Sequence, residues 1–168
     1  MTRERVEKEL PKKMRRAASG TIGEMFDVQT GEVGGADFWV KPRFFRGRLV
    51  THSGTGTGGE AIALACEPSL SEAGALAHRA ILESRIVGRV LQFGRQPDLF
   101  VAASELEDLP IPTIPAGVRT QLSALYRRRS SPGVDDGIER VVAELYELDL
   151  EVVVGLQSTF LRRPTPDA

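Results

Sequence analysis

Apolar residues recur at helical spacing along one central stretch of the chain. Between residues 76 and 92 they follow the three-to-four-residue rhythm of a helix with one broad buried face, at Leu76, Ala80, Ile81, Leu82, Ile86, Val87, Val90 and Leu91. The pattern predicts one continuous helix that ends at Gly94 and Pro97. A short strand is predicted directly after it, over residues 99–103.

The segment that follows this strand is rich in proline. Ser104 and Glu107 lie three residues apart and predict a capping box for one helical turn. Pro110, Pro112 and Pro115 then exclude a long helix and keep the chain extended until residue 116. This central region is therefore a scaffold, and it carries no catalytic chemistry of its own.

The first half of the chain has short apolar runs broken by glycines, a pattern typical of strands. The strand candidates are residues 22–28, 38–40, 44–50 and 61–66. Gly34 and Gly35 favour a tight reversal between the first two. The run 52–60 is a Ser/Thr/Gly loop without the ending of a phosphate-binding P-loop, so a flexible surface loop is the simpler interpretation.

Two further helices are predicted in the second half. The first covers residues 116–129 and the second residues 138–148, with Asp135 or Asp136 as the cap. The short turn at 130–133 makes these helices antiparallel neighbours. The segment that follows, to residue 161, has a pattern that fits both a strand and a continuation of helix.

The predicted organisation follows from these elements. Residues 1–20 form a basic N-terminal arm or short helix outside the core, because Pro11 interrupts a charged segment. A β-rich unit with one central helix covers 21–115, a helical hairpin or spacer covers 116–161, and a disordered tail covers 162–168. A strand-rich half followed by a helical half gives an α+β fold.

Composition limits the class of protein. The chain has 168 residues, 41% of them hydrophobic and 27% charged, which is ordinary for a globular protein. It has no apolar run of membrane-spanning length and no apolar signal-peptide core. Cys66 is the single cysteine, so no internal disulfide forms, and with two histidines it makes no metal site. We therefore expect a cytoplasmic protein without membrane contact.

Charge is unevenly distributed, although the net charge is only −1. Residues 1–20 hold seven Lys or Arg against three Glu, and residues 135–151 hold seven acids against one Arg. Residues 41–48 hold four cations and no acid, namely Lys41, Arg43, Arg46 and Arg48. Such local patches, and not the sum, decide where an anion binds.

Three stretches together resemble a known family. Residues 23–40 (GEMFDVQTGEVGGADFWV) resemble the opening of the target recognition domain of adenine-specific DNA methyltransferases and restriction-modification enzymes of the TaqI-like kind. Residues 81–92 with 106–112, which end in the LPIP exit, resemble the middle of that domain, and residues 145–156 resemble its closing helix. Glu83 and Glu147 depart from the family's usual Asn and Gly, and the variable middle is shorter than usual.

The resemblance implies a β-helix-like mixed sheet followed by an antiparallel helical hairpin. It also implies a non-catalytic specificity module that positions double-stranded DNA for a methyltransferase or restriction subunit supplied in trans. The chain has no Asn, and no Asp-Pro-Pro replaces the Asn-Pro-Pro clamp of adenine methyltransferases. We therefore expect no catalytic residues, no cofactor and no metal, and we do not expect an enzyme.

The candidate DNA contacts fall into two groups. Arginine and lysine side chains neutralise phosphates, and arginine also binds guanine in a bidentate manner, which selects Lys41, Arg43, Arg46 and Arg48. The pattern predicts that Arg46 and Arg48 share one strand face. The loop adds donors at His52, Ser53, Thr55 and Thr57.

Other interpretations stay open at this stage. The basic strand is equally explained as an ordinary solvated strand, and the loop donors as a flexible surface loop. The chain also fits a protein-interaction module that docks through the helices at 116–148, a truncated methyltransferase remnant, or a small enzyme that uses the Gly/Thr-rich loop.

Overall fold

The computed structural model describes residues 3–30, 36–53, 61–92 and 100–149, with side chains from residue 8 onward. Helices in these ranges are α1 Arg3–Ala17, α2 Ile22–Met25, α3 Glu72–Leu82, α4 Arg85–Gln92, α5 Ala103–Glu107, α6 Ala116–Arg127 and α7 Val134–Leu145. Strands are β1 Gly20–Thr21, β2 Asp27–Thr30, β3 Phe38–Val40, β4 Thr51–Ser53, β5 Ile62–Ala65 and β6 Pro110–Ile111.

The strands form two antiparallel sheets. One has four strands in the order β2-β5-β3-β4, and the other pairs β1 with β6. β2 and β3 both pair with β5 and not with each other, so the expected turn between them does not close a hairpin; Gly34 and Gly35 themselves lie outside the described residues. The mixed α+β class is confirmed, whereas the β-helix-like arrangement is not.

The predicted central helix is broken into two helices. α3 ends at Leu82 and α4 begins at Arg85. The Ser84 hydroxyl accepts a hydrogen bond from the Val87 backbone N–H at 3.2 Å, and the Glu139 carboxylate accepts one from the Arg85 N–H at 2.7 Å. These side chains satisfy the backbone donors at the start of α4 and allow a new helix to begin there. The spacing of apolar residues is the same on both sides of the break, so the sequence pattern does not reveal it.

The predicted strand after this helix is also wrong within the described residues. Phe100 forms only an isolated antiparallel bridge with Arg43, and Ala103 already begins α5. The capping contact lies two residues earlier than predicted, because the Glu105 carboxylate accepts a hydrogen bond from the Ala102 N–H at 3.1 Å. The residues expected to end the helix, at 94 and 97, lie outside the described part of the chain.

The N-terminal segment is a helix of the core and not a peripheral arm. α1 continues through Pro11, and its Leu10 and Met14 side chains are 1% and 0% exposed. These two residues lie one helical turn apart and form an apolar stripe. α1 packs against α4 and β6. Burial of this stripe outweighs the cost of a proline within the helix.

The second half largely follows the sequence pattern. Pro110 and Ile111 form β6, and Pro115 precedes α6, so the extended proline segment is confirmed. α6 and α7 pack against each other, as predicted. The cap of α7 differs, since Gly133 occupies the N-cap position with φ of 80° and the two aspartates lie in the first turn.

Candidate nucleic-acid interface

Residues 38–53 form a β-hairpin whose turn lies within the predicted basic strand. β3 and β4 pair from Phe38↔Ser53 to Val40↔Thr51, and the Lys41 N–H continues the ladder to the Val50 carbonyl at 2.8 Å. At the far end, Phe45 and Arg48 exchange two backbone hydrogen bonds, of 2.8 and 3.1 Å.

The turn itself contains Arg46 and Gly47, with φ of 51° and 80°. Two central residues with positive φ are typical of a type I′ turn, which matches the twist of hairpin strands. The prediction of a continuous strand over residues 44–50 is therefore wrong. So is the prediction that Arg46 and Arg48 share one strand face, because Arg46 lies in the turn and Arg48 follows it.

The strand that leads into the turn, residues 41–45, has one exposed side. Residues 41, 43 and 45 are exposed, whereas 42 and 44 are half-buried, which is the alternation expected of an extended chain. Phe44 packs against the core, while Phe45 is 62% exposed. Phe100 lies beside this strand and is 54% exposed. We call the surface formed by Lys41, Arg43, Phe45, Arg46 and Phe100 the hairpin face.

Cations and aromatic rings are interleaved on the hairpin face. The Arg43 guanidinium carbon lies 5.7 Å from the centre of the Phe100 ring, and that of Arg46 lies 5.3 Å from the centre of the Phe45 ring. Cation–π contact holds each guanidinium near its ring. No carboxylate in the described ranges forms an ion pair with Lys41, Arg43 or Arg46. Their charges therefore face solvent without neutralisation by an acid of this part of the chain.

Arg48 has a different role from the other three predicted cations. Its guanidinium donates two hydrogen bonds to the Asp135 carboxylate, at 2.8 and 2.5 Å, and Arg85 donates a third at 3.1 Å. The hydrogen bonds from Arg48 lower the pKa of Asp135, although partial burial opposes them. Arg48 thus ties the hairpin to the start of α7 and is not free to bind phosphate.

A backbone contact fixes the turn on the other side. Gly47 is buried against α4, where a Cβ atom at Gly88 would stand 2.0 Å from the Gly47 carbonyl oxygen. Only a residue without a side chain at position 88 allows the turn to lie this close to the helix. The hairpin is therefore clamped on α4 as well as on α7.

The base of the hairpin is held by a buried polar network. The Thr51 hydroxyl and the Tyr126 hydroxyl both donate to the Glu83 carboxylate, the latter at 2.5 Å. The Thr51 hydroxyl also accepts a hydrogen bond from Arg79 Nε at 2.8 Å. Burial, together with the Glu83 charge, raises the pKa of Tyr126 to about 12. This network joins β4, α3 and α6.

Glu139 is the most deeply buried acid beside this network. It is 1% exposed and lines a cavity of about 300 Å³ together with Arg48, Glu83, Tyr126 and Asp135. Burial raises the pKa of Glu139 to about 7, although the hydrogen bond from the Arg85 N–H opposes the shift. A buried carboxyl group with a raised pKa thus lies beside the Arg48–Asp135 ion pair that anchors the hairpin.

Two of the four predicted loop donors lie in the part of the chain that the structure describes. His52 and Ser53 belong to β4, where His52 is half-buried and its Nε2 atom is buried without a hydrogen-bond partner within the described ranges. Ser53 is exposed. Thr55 and Thr57 lie outside the described residues.

The sequence pattern predicts the cations of the hairpin face but not its aromatic rings. Phe45 and Phe100 fall within predicted strands, yet they are among the exposed large apolar side chains of the described chain. The available signal was the alternation of Lys41, Arg43 and Phe45 at a spacing of two. Phe100 could not be assigned in this way, because only the fold places it beside Arg43.

His78 on α3 is a buried histidine. It is 4% exposed and stacks edge-on against Phe26, with ring centres 5.3 Å apart. Within the described ranges, no group of His, Cys, Asp and Glu residues is arranged to hold a metal ion. No helix in those ranges has both the length and the apolar character needed to cross a membrane.

Comparison of this chain with protein-family models, with curated proteins and with solved structures finds no match. The hairpin face therefore has to be interpreted from its own chemistry.

Proposed function

We propose that this protein is a non-catalytic DNA-binding module that contacts the duplex through the hairpin face. The observation that carries this proposal is the set of three exposed cations, Lys41, Arg43 and Arg46, none of which is paired with an acid in the described chain. Lysine and arginine that neutralise phosphates release condensed counterions, which is the main source of affinity for DNA.

The shape of the site supports a groove-binding mode. A two-stranded β-hairpin fits the major groove of B-form DNA, which is about 12 Å wide. Arginine is the side chain that most often binds guanine there, and an apolar ring suits the methyl group of thymine. Arg46 and Phe45 at the turn are the residues we expect to reach the base edges, while Lys41 and Arg43 contact phosphates.

The anchoring of the hairpin supports sequence-specific recognition of DNA and not only non-specific electrostatic attraction to it. The Gly47–Gly88 contact and the Arg48–Asp135 ion pair hold the turn from two sides. A preorganised site loses little conformational entropy on binding. This favours a surface that reads a defined sequence over a flexible basic tail.

The finer proposal is that the chain is the specificity module of a restriction-modification or DNA methyltransferase system. It is supported by the resemblance of residues 23–40, 81–92 and 145–156 to target recognition domains of the TaqI-like kind. In this proposal the module acts in the cytoplasm and positions duplex DNA for a catalytic subunit supplied in trans. It needs no cofactor of its own and performs no catalysis.

Docking of a protein partner through α6 and α7 is less well supported. The exposed large apolar side chains of the described chain are Met25, Phe45 and Phe100, and none lies on these two helices. Protein interfaces are centred on buried aromatic and apolar anchors. The hairpin face has such groups, and the outer surface of the helical pair does not.

The proposal is tested by fluorescence anisotropy of a labelled duplex of mixed sequence at about 50 mM salt, and again at about 200 mM. We expect saturable binding that weakens strongly at the higher salt concentration. An unlabelled duplex should compete with the labelled one. Heparin, a polyanion without bases, should also compete, but through its charge alone. Absence of binding at the lower salt concentration would contradict the proposal.

A further inference from the structure

A second site candidate lies away from the hairpin face. An open cavity of about 650 Å³ is lined by residues 19–21, 24–25, 68–71, 74, 78 and 111–114 and by Arg119 on α6. No residue of the hairpin face lines it. Its volume is within the range of roughly 300–1,000 Å³ that small-molecule sites occupy.

The wall of the cavity combines apolar surface with hydroxyl groups, as ligand sites do. The apolar part is contributed by Met25, Pro68, Leu70, Ile111, Pro112 and Ile114, and the hydroxyls by Ser19, Thr21, Ser69, Ser71 and Thr113. Ser19 and Thr113 hydrogen-bond to each other at 2.5 Å, and the Ser71 hydroxyl accepts a hydrogen bond from the Gly74 N–H at 3.0 Å. Local hydrogen bonds thus fix the hydroxyl groups of Ser19, Ser71 and Thr113.

One cation at this wall lacks an acidic partner. Arg119 is exposed, and no carboxylate of the described residues forms an ion pair with it. The other charged lining residue is Glu24, whose Oε1 atom accepts hydrogen bonds from the Thr21 N–H and hydroxyl, each at 3.2 Å. Glu24 is therefore engaged in the cap of α2, and Arg119 is the charge available to a ligand.

The cavity also contains a buried polar group with unused hydrogen-bonding capacity. His78, which is 4% exposed, lines the wall, and its Nδ1 atom lies 2.8 Å from the Gly74 carbonyl oxygen. Because a carbonyl only accepts, Nδ1 carries the proton in the neutral ring and Nε2 is left as an acceptor. Nε2 is buried and has no partner within the described ranges. Buried polar groups in native structures normally have one.

We propose that this cavity binds a small organic anion, a carboxylate or a phosphate monoester with an apolar body. The anionic group pairs with the Arg119 guanidinium, whose planar donor fork matches both groups. The apolar body lies against Leu70 and Ile114, in the cavity that His78 also lines. A ligand that carries a donor group can in addition supply a hydrogen bond to His78 Nε2, and binding does not require it.

The test follows the ring proton signals of His78 by NMR in the full chain, with benzoate, phenyl phosphate and benzylamine as probes. The chain has two histidines, so a His52→Gln variant assigns the signals directly. We expect saturable shifts of the His78 signal with benzoate or phenyl phosphate and none with the cationic benzylamine. A lack of saturable shift with both anions, or an equal response to benzylamine, would overturn the proposal.

Two arginine variants show whether Arg119 binds the anionic group of the ligand. Arg119→Ala should weaken binding of the responding anion by about tenfold or more, since it removes a charge-assisted hydrogen bond. Arg140→Ala, at an exposed position on α7, should titrate like the wild type. An Arg119→Ala variant that also binds like the wild type would contradict the site. DNA binding at the hairpin face should be the same in Arg119→Ala, so the two proposals fail independently.

Discussion

Gly88 of α4 lies directly beneath Gly47 of the hairpin turn, so that a Cβ atom at position 88 would meet the Gly47 carbonyl oxygen at 2.0 Å. A real Cβ atom cannot approach a backbone oxygen so closely, and neither the turn nor the helix can move without disturbing the other. Together with the ion pair between Arg48 and Asp135, this contact makes the hairpin part of the rigid body of the protein.

Gly88→Ala should destabilise the fold. The added methyl group forces the turn away from α4, and overpacking of this kind costs about 1–3 kcal/mol, more than the roughly 1 kcal/mol that alanine gains over glycine in a helix. Gly117→Ala on α6 is the matched control, because a Cβ there meets nothing within 4 Å. Urea unfolding should show a lower free energy of unfolding for the first variant and an equal or higher one for the control.

Asp135→Asn should also destabilise the protein, by about 1–2 kcal/mol, because hydrogen bonds to charged groups are lost and the part-buried Arg48 is left without its counterion. Asp136→Asn changes a neighbouring carboxylate that is 62% exposed, and exposed ion pairs contribute about 0–1 kcal/mol. Thermal unfolding of the two variants compares them directly. Equal melting temperatures would show that the Arg48 ion pair does not anchor the hairpin.

Glu139 should make the stability of the protein depend on pH. Burial raises its pKa from 4.5 to about 7 in the folded chain, so the folded state retains a proton that the unfolded state loses. This contribution to stability is complete below pH 4.5 and is lost as the pH rises through about 7, with a magnitude of about 3 kcal/mol at most.

The measurement for this prediction is the free energy of unfolding of Glu139→Gln and of the wild type between pH 5 and pH 8. His78 has a lowered pKa, caused mainly by burial, and contributes the opposite slope in both proteins, so the difference isolates Glu139. The stability of the variant relative to the wild type should rise with pH across this range. A constant difference would contradict the assigned pKa.

The two tyrosines should resist ionisation. Burial and the Glu83 charge raise the pKa of Tyr126 to about 12, and burial raises that of Tyr146 further. The protein contains no other tyrosine. In an alkaline titration followed by ultraviolet absorbance, tyrosinate should therefore be absent near pH 10, where an exposed tyrosine ionises. Its appearance at pH 10 in the folded protein would contradict the burial of at least one of the two tyrosines, and a Tyr146→Phe variant would show whether it is Tyr126.

The sequence predicts those parts of the fold in which local pattern and tertiary packing agree. The apolar stripe of α7 and the extended proline segment are examples, as is the buried strand Ile62–Ala65. The break between α3 and α4 could not be predicted, since it depends on Glu139, more than 50 residues away, accepting a hydrogen bond from Arg85. In the same way, Leu10 and Met14 show a helical spacing, but only the fold provides the surface that buries them.

The sequence predicts which cations belong to the candidate site, but not how the fold arranges them. The cluster of four cations is visible in the sequence. The turn separates two of them, because Arg46 lies in the turn and is exposed, whereas Arg48 follows it and pairs with Asp135. The left-handed backbone at Arg46 that forms this turn is unusual for a residue other than glycine. The acid that pairs with Arg48 lies 87 residues further along the chain. Pairing over such a distance has no local signal, so a free cation and a structural one are indistinguishable before folding.

The salt dependence of duplex binding by Lys41→Ala and Arg43→Ala, compared with the exposed control Arg140→Ala, tests most directly whether the hairpin face contacts DNA. Each phosphate contact contributes about 0.9 to the slope of log K against log salt concentration. If the hairpin face contacts the duplex, each of the two variants should bind more weakly with a slope that is shallower by up to about one unit, and the control should keep the wild-type slope. Slopes that are identical in all four proteins would show that the hairpin face does not contact the duplex.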